Sequence, residues 1–122
     1  MKETANPAAE NDPDQALAGL KVIGLTRVLA SPYLERLFGD MGAEIPHVEI
    51  PGSGDDSRQI PPALDGVSLT YLIVNRNKKS ITFNLKSPRG IELLKRLVTK
   101  ADVLIESNRP GVMDRLGISY EC

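Results

Sequence analysis

Apolar positions along the chain follow two spacings, one typical of buried strands and one of amphipathic helices. Residues 20–26, "LKVIGLT", form an apolar, β-branched run of strand length. A helix is predicted next, with Ser31 as N-cap, Pro32 at the first helical position and Gly42 at its end. Its apolar residues recur at helical spacing: Tyr33, Leu37, Phe38 and Met41.

Residues 43–74 give weaker patterns. Residues 43–50, "AEIPHVEI", have strand character, but Pro46 removes a backbone donor and predicts an edge strand or a bulge. Residues 51–65 are rich in Gly, Pro, Ser and Asp, which is typical of a loop. Residues 66–74 fit a strand or a short helix, and Ser68 as a possible N-cap favours the helix.

The second half of the chain is patterned more clearly. Residues 80–85, "SITFNL", alternate apolar and polar positions with period two, as in a strand. Ser87 and Pro88 repeat the helix-start signal before an apolar stripe that ends near Lys100. Residues 102–107, "DVLIES", predict a buried strand, followed by a turn and a short amphipathic piece at residues 112–116.

This order of strands and helices predicts a Rossmann-like α/β fold, a mostly parallel sheet in three layers. Ligands of such sheets bind outside the carboxyl ends of the strands. The segments to inspect are therefore residues 27–31, 50–54, 84–87 and 107–111.

Composition limits the class of protein. The 122 residues, 41% hydrophobic, suffice for one domain. Net charge is −1, but residues 1–68 carry 5 Lys/Arg against 11 Asp/Glu and residues 69–122 carry 10 against 5. The basic half could attract an anionic ligand, or the two halves could simply attract each other.

Several features predict a soluble, cytoplasmic protein. The single cysteine, Cys122, excludes an intramolecular disulfide framework and fits a reducing compartment. No apolar run approaches the roughly 18 residues that span a membrane. Residues 1–16 lack signal-peptide or transit patterns and are predicted to be a disordered acidic leader, with the domain over residues 17–122.

Charged residues near the strand ends are the candidate binding groups. Neither a G-x-G-x-x-G nor a P-loop motif is present. The start of the first helix, with Arg27 nearby, could bind an anion or could be an ordinary capped turn. Lys86, Arg109 and Arg115 follow the third and fourth predicted strands, and they could converge on one anion if those strands are neighbours. Solvated charges are the alternative.

Other chemistry finds little support in the sequence. Asp55 and Asp56 are adjacent, with Arg58 close by, so a local salt bridge is expected rather than a catalytic pair. His47 stands alone without metal-ligand spacing, so no metal site is predicted. A G-x-S-x-G motif is absent. Basic residues are not interleaved with aromatics, which disfavours nucleic-acid binding.

Three blocks of sequence resemble a known family: residues 17–58, "LAGLKVIGLTRVLASPYLERLFGDMGAEIPHVEIPGSGDDSR", then "YLIVNRNKKSITFNLKSPRGIELLKRLVTKADVLIE" and "RPGVMDRLGISYE". They resemble the amino-terminal segment of the family III CoA-transferases, the CaiB/BaiF group that includes formyl-CoA transferase and carnitine CoA-transferase. The match extends from residue 17 to residue 121.

The resemblance implies an incomplete large domain that binds coenzyme A, in an interlocked homodimer. It implies movement of CoA from an acyl-CoA donor to a small carboxylic acid through intermediates on an aspartate, with no covalently bound cofactor. Coenzyme A or acyl-CoA is then a substrate, and neither nucleic acid nor membrane is a partner. The implied CoA-binding residues are Val28, Leu29, Ala30, Phe83, Lys86, Ser107, Asn108, Arg109 and Arg115.

Departures from the family pattern temper these expectations. The chain reads "IPHVEI" where relatives read "VIKVE", and Ile50 stands where some members place a CoA-contacting arginine. "ESNRPG" lacks the usual aromatic. The family's catalytic aspartate matches no residue of this chain, so the fragment alone is expected to be inactive. The alternatives are a non-catalytic remnant that binds CoA or a partner and, less favoured, a nicotinamide-dependent oxidoreductase with Glu49 as its ribose-binding acid.

Overall fold

The computed structural model describes residues 13–120. Of the predicted leader, residues 13–16 lie in this part and form turns that lead into the domain. The remainder of the leader and Cys122 lie outside the described residues. Residues 13–120 form six strands: β1 (Val22–Leu25), β2 (Pro46–Glu49), β3 (Ala63–Leu64), β4 (Val67–Ser68), β5 (Lys79–Thr82) and β6 (Val103–Glu106).

The described residues also form four helices. They are α1 (Ala30–Asp40), α2 (Leu69–Asn75), α3 (Pro88–Val98) and α4 (Val112–Arg115), with a 3-10 turn at Asp56–Gln59. The serines that the sequence predicts as N-caps of α2 and α3 do cap these helices. Ser68 Oγ accepts the Tyr71 N–H and Ser87 Oγ accepts the Gly90 N–H.

The predicted start of α1 is wrong. The helix begins at Ala30, the preceding Leu29 makes no side-chain cap, and Ser31 lies inside the first turn. A backbone turn at Val28, described below, sets this start instead of a side chain. Gly42, just after the helix, has φ of 99°, which suits glycine at a helix end.

The main sheet is fully parallel and has the order β5-β2-β1-β6. This confirms the α/β class. The expectation that the third and fourth predicted strands are neighbours is wrong, because they correspond to β5 and β6 at opposite edges. β2 and β5 lie on one side of β1, whereas β6 lies on its other side, so the strand order reverses between β1 and β6. Such a switch point is a common place for a ligand crevice.

Pro46 does not mark an edge strand or a bulge. The strand it begins, β2, lies between β1 and β5 in regular register, with Pro46 opposite Lys79. Pro46 is the first residue of β2, a position at which the missing backbone donor is tolerated.

The two faces of the sheet are packed differently. One face carries an apolar core with α3, formed by Ile23, Leu25, Val48, Leu94 and Ile118. The other face, under α1, has a smaller apolar cluster of Val22, Ala43 and Ile45. Next to that cluster lie buried polar side chains, which include Glu35 and His47. Within residues 13–120, no helix is long and apolar enough to cross a membrane.

Candidate functional site

A hollow of about 450 Å³ lies at the carboxyl ends of the strands. Its volume falls in the range of small-molecule sites, roughly 300–1,000 Å³. Its wall is formed by the last residues of β1 and β2 and by residues of the segments that follow all four strands of the main sheet. They are Leu25, Thr26, Arg27, Val48, Glu49, Ile50, Pro51, Gly54, Asp55, Phe83, Asn84, Leu85, Lys86, Asn108, Val112 and Leu116.

The loop after β5 brings an aromatic ring and a cation to this wall. Asn84 Oδ1 accepts the Lys86 backbone N–H at 3.1 Å, and the Asn84 carbonyl accepts the Ser87 N–H at 3.0 Å. Gly90 is needed in α3, because a Cβ there would overlap the Asn84 carbonyl. The loop is therefore rigidly shaped, while the exposed Lys86 side chain forms no ion pair within residues 13–120.

The turn between β1 and α1 is strained. Val28 has φ of 71°, and the Leu29 N–H donates to the Arg27 carbonyl at 3.2 Å, which closes a γ-turn of the rare, positive-φ kind. A β-branched residue in this region costs on the order of 1–3 kcal/mol. The strain is offset from outside, since the Val28 N–H donates to Asp55 Oδ2 at 3.2 Å.

Asp55 connects this turn to the loop after β2. Its side chain also accepts the Ser57 N–H at 2.8 Å and the Ser57 hydroxyl, and its own N–H donates to Glu49 Oε2 at 2.7 Å. Asp55 is 3% exposed. Both of its oxygens are occupied, so it fits a structural role better than that of a nucleophile.

Glu49 organises the floor of the same loop. Arg58 donates to both of its oxygens at 2.7 Å, and Ser80 and Tyr71 hydroxyls donate at 2.6 and 3.1 Å. Burial would raise the pKa of Glu49, but the bonds from Arg58, Ser80 and the Asp55 N–H lower it to about 2. Burial and the neighbouring Glu49 charge raise the pKa of Tyr71 to about 12.

The contacts of Arg58 and Glu49 bear on two expectations from the sequence, the salt bridge of Arg58 and the ribose-binding role of Glu49. Arg58 pairs with Glu49, so the predicted salt bridge between Arg58 and Asp55 or Asp56 is wrong. Asp56 instead lies 4.0 Å from Arg27, and both side chains are largely exposed. With its oxygens saturated by protein donors, Glu49 has little capacity left to accept bonds from a ribose.

A buried polar cluster supports the β1–α1 turn from beneath. Glu35 on α1 accepts the Thr26 hydroxyl at 2.5 Å and lies 2.8 Å from both His47 Nδ1 and Lys78 Nζ. Gly24 makes room for it, because a Cβ at Gly24 would overlap the Glu35 carboxylate. Burial opposes ionisation of Glu35, but the donors outweigh burial and lower its pKa, whereas burial lowers the pKa of Lys78.

The "NRNKK" segment before β5 serves mainly to fix α1. Arg76 and Asn77 donate to Asp40 at the end of the helix, at 2.7 to 3.0 Å. Lys78 Nζ donates to the Pro32 carbonyl at 2.7 Å and to Asn75 Oδ1 at 2.9 Å. The exposed Lys79 pairs with the half-buried Glu44. The cations of the segment are thus engaged with the protein itself, whereas the buried Asn75 Nδ2 has no hydrogen-bond partner within residues 13–120.

The structure brings some of the sequence-predicted binding residues together and not others. Phe83, Lys86 and Asn108 line the hollow. Val28, Leu29 and Ala30 form the adjoining turn and helix start, outside the lining. Ser107, Arg109 and Arg115 are exposed and do not line it, although Arg115 shares α4 with Val112 and Leu116, which do.

Glu49, Asp55 and Asn84 are not among the CoA-binding residues implied by the sequence, although all three line the hollow. Several partners of Glu49 and Asp55 come from distant parts of the chain. His47 is buried against Glu35, and within residues 13–120 its Nε2 has no hydrogen-bond partner. No group of His, Cys, Asp and Glu within that range could hold a metal ion.

Comparison with known proteins gives close sequence relatives. The human succinyl-CoA:glutarate CoA-transferase is 44% identical over 119 residues, covering 97% of this chain and 27% of the relative. The acetyl-CoA:oxalate CoA-transferase of Acetobacter aceti is 46% identical over 121 residues, covering 99% of this chain and 30% of the relative. The chain thus spans less than a third of the length of these relatives.

A solved structure agrees with the fold. The crystal structure of a CaiB/BaiF family protein from Brucella suis matches with a TM-score of 0.81 and 39% identity, over 88% of this chain and 29% of that protein. The family model for CoA-transferase family III matches residues 17–122, most of the chain. The chain belongs to CoA-transferase family III.

Proposed function

We propose that the hollow at the carboxyl ends of the strands binds coenzyme A or an acyl-CoA. The observation that carries this proposal is the wall itself, in which a mainly apolar surface with Phe83 is joined by Lys86 and Arg27. CoA combines an adenine, a pantetheine arm and phosphates. An aromatic and apolar wall suits the first two, and cations suit the phosphates.

The reaction proposed for the whole protein is transfer of CoA from an acyl-CoA to a small carboxylic acid. Relatives named for succinyl-CoA with glutarate and for acetyl-CoA with oxalate support these substrate classes. Transfer requires a free carboxylate as nucleophile. Glu49 and Asp55, the carboxylates lining the hollow, are saturated by protein donors. We therefore propose that this chain alone binds CoA but does not transfer it.

Binding is tested by calorimetric titration of the 122-residue chain with CoA, before and after Lys86→Ala. Removal of a charge-assisted contact worth about 1.5–3 kcal/mol should weaken binding roughly tenfold or more. Lys100→Ala is the matched control, because Lys100 is an exposed lysine at the opposite ends of the strands. Absence of CoA binding by the unaltered chain, or equal effects of both variants, would contradict the proposal.

Arg115→Ala tests another cation that is expected from the sequence to lie near the ligand. A loss comparable to that of Lys86→Ala would extend the site along α4, since Val112 and Leu116 of that helix already line the hollow. Transfer is assayed separately with succinyl-CoA and glutarate. Measurable turnover by the chain alone would refute the claim that it is inactive.

A further inference from the structure

The γ-turn at Val28 is the most strained backbone feature near the hollow. Val28 carries a branched Cβ at φ of 71°, where valine is strongly disfavoured. The residues just before it, Thr26 and Arg27, line the hollow, and α1 begins two residues after it. A relaxed Val28 would therefore move part of the wall and the first turn of α1.

A single buried side chain connects this turn to the neighbouring loop. Asp55 Oδ2 accepts the Val28 N–H at 3.2 Å, whereas Asp55 Oδ1 accepts both donors of Ser57. Asp55 is fixed in turn by its N–H bond to Glu49, which Arg58 holds from the other side. The contacts thus run from Arg58 through Glu49 and Asp55 to the strained turn at Val28.

We propose that Asp55 is a positioning residue, which holds the β1–α1 turn in its strained form through the Val28 N–H and so shapes the hollow for its ligand. The inference deepens the proposed function and rests on it for the identity of the ligand. We call the hydrogen bond from the Val28 N–H to Asp55 the clamp, and it can be tested without any ligand.

Asp55→Asn separates the two oxygens of the side chain. Asn keeps one acceptor, which is best used on the two donors of Ser57, and presents its amide towards Val28. The Val28 bond is lost while the loop anchor is kept. Amide hydrogen exchange at residue 28 should then speed up about tenfold or more, with the amides of β1 and β2 unchanged.

The charge of Asp55 and its contact with Val28 predict opposite changes in CoA affinity for Asp55→Asn. Removing a carboxylate beside an anionic ligand should strengthen binding, whereas loss of the clamp should weaken it. We expect Asp55→Asn to weaken CoA binding about tenfold in the titration. Asp56→Asn is the matched control, because it removes the same charge one residue away and should not weaken binding.

Val28→Gly provides the decisive rescue, since glycine adopts positive φ without strain. In that background Asp55→Asn should still speed up exchange at residue 28, because the same hydrogen bond is lost, but it should weaken CoA affinity much less than in the Val28 chain. If Asp55→Asn alone does not fold, the double variant should fold. Equal losses of affinity in both backgrounds, unchanged exchange in Asp55→Asn, or an unfolded double variant would overturn the clamp.

The two proposals fail in different ways. If the unaltered chain does not bind CoA, the proposed function is refuted, and the exchange measurements on the four chains of the cycle still decide whether Asp55 holds the turn. If CoA binds but Asp55→Asn leaves both exchange and affinity unchanged, the clamp is refuted and the binding proposal stands.

Discussion

Lys78 Nζ lies 2.8 Å from the Glu35 carboxylate in an ion pair whose side chains are 2% and 0% exposed. Glu35 is held at the same time by Thr26 and His47, so one carboxylate joins α1 to β1, β2 and the segment before β5. A buried ion pair contributes modestly as a whole, but it is costly to break, because the remaining charge is left uncompensated.

Lys78→Met should therefore be strongly destabilising. The expected loss in the free energy of unfolding is about 3–5 kcal/mol, measured by urea denaturation at neutral pH. Lys79→Met, next in the chain, is the control, since that side chain is 72% exposed and its pair with Glu44 is worth at most about 1 kcal/mol. Similar losses for the two variants would show that the buried pair has no special role.

Gly24 and Glu35 should be coupled in a double-mutant cycle. A Cβ at position 24 would overlap the Glu35 carboxylate, so Gly24→Ala must displace Glu35 from Thr26, His47 and Lys78. In a Glu35→Ala background that conflict is absent and the same substitution should cost much less. Unfolding free energies of the four chains measure the coupling, and strict additivity would contradict the geometry.

Glu49 should make the fold sensitive to acid. Its pKa falls from 4.5 to about 2 on folding, so its contribution is present above pH 4.5 and is lost as the pH falls towards 2. The shift corresponds to about 3 kcal/mol. Glu49→Gln should be less stable than the unaltered chain at pH 7, and the difference should shrink towards pH 2. The exposed Glu92→Gln serves as control, and a pH-independent difference for Glu49→Gln would refute the assignment.

Lys86 should be responsible for part of the salt dependence of CoA binding. An exposed cation facing a phosphate is screened by added salt, so the affinity of the unaltered chain should fall as ionic strength rises. Lys86→Ala should flatten that dependence, while Lys100→Ala should leave it unchanged. Titrations at several salt concentrations provide the test, and parallel slopes for all three chains would remove Lys86 from the proposed contact.

Local signals explain which parts of the fold could be predicted. The start of α3 depends on neighbouring residues only, because Ser87 caps the helix and Pro88 is its first residue. Ser68 caps α2 in the same local way. The start of α1 depends instead on a turn at Val28 that valine disfavours in isolation, so the sequence pointed to Ser31. A contact from Asp55, 27 residues away, accounts for the difference.

Strand order is a long-range property and could not be read from periodicity. β6 pairs with β1 along four residues, from Val22 opposite Val103 to Leu25 opposite Glu106, although most of the chain separates them. For the site, locating the strand ends was enough to find Lys86 and Asn108. It was not enough to place Arg109, or to recognise that Arg58 pairs with Glu49, since the path of each loop decides these contacts.

Within residues 13–120, the wall of the hollow joins segments that follow the first and the last strands of the main sheet. Leu25 and Thr26 leave the ribosome early, whereas Asn108, Val112 and Leu116 come near the end of the described chain. A nascent polypeptide that stops before β6 would possess three quarters of the sheet and an open cleft. If the hollow binds CoA as proposed, binding therefore has to wait until β6 pairs with β1.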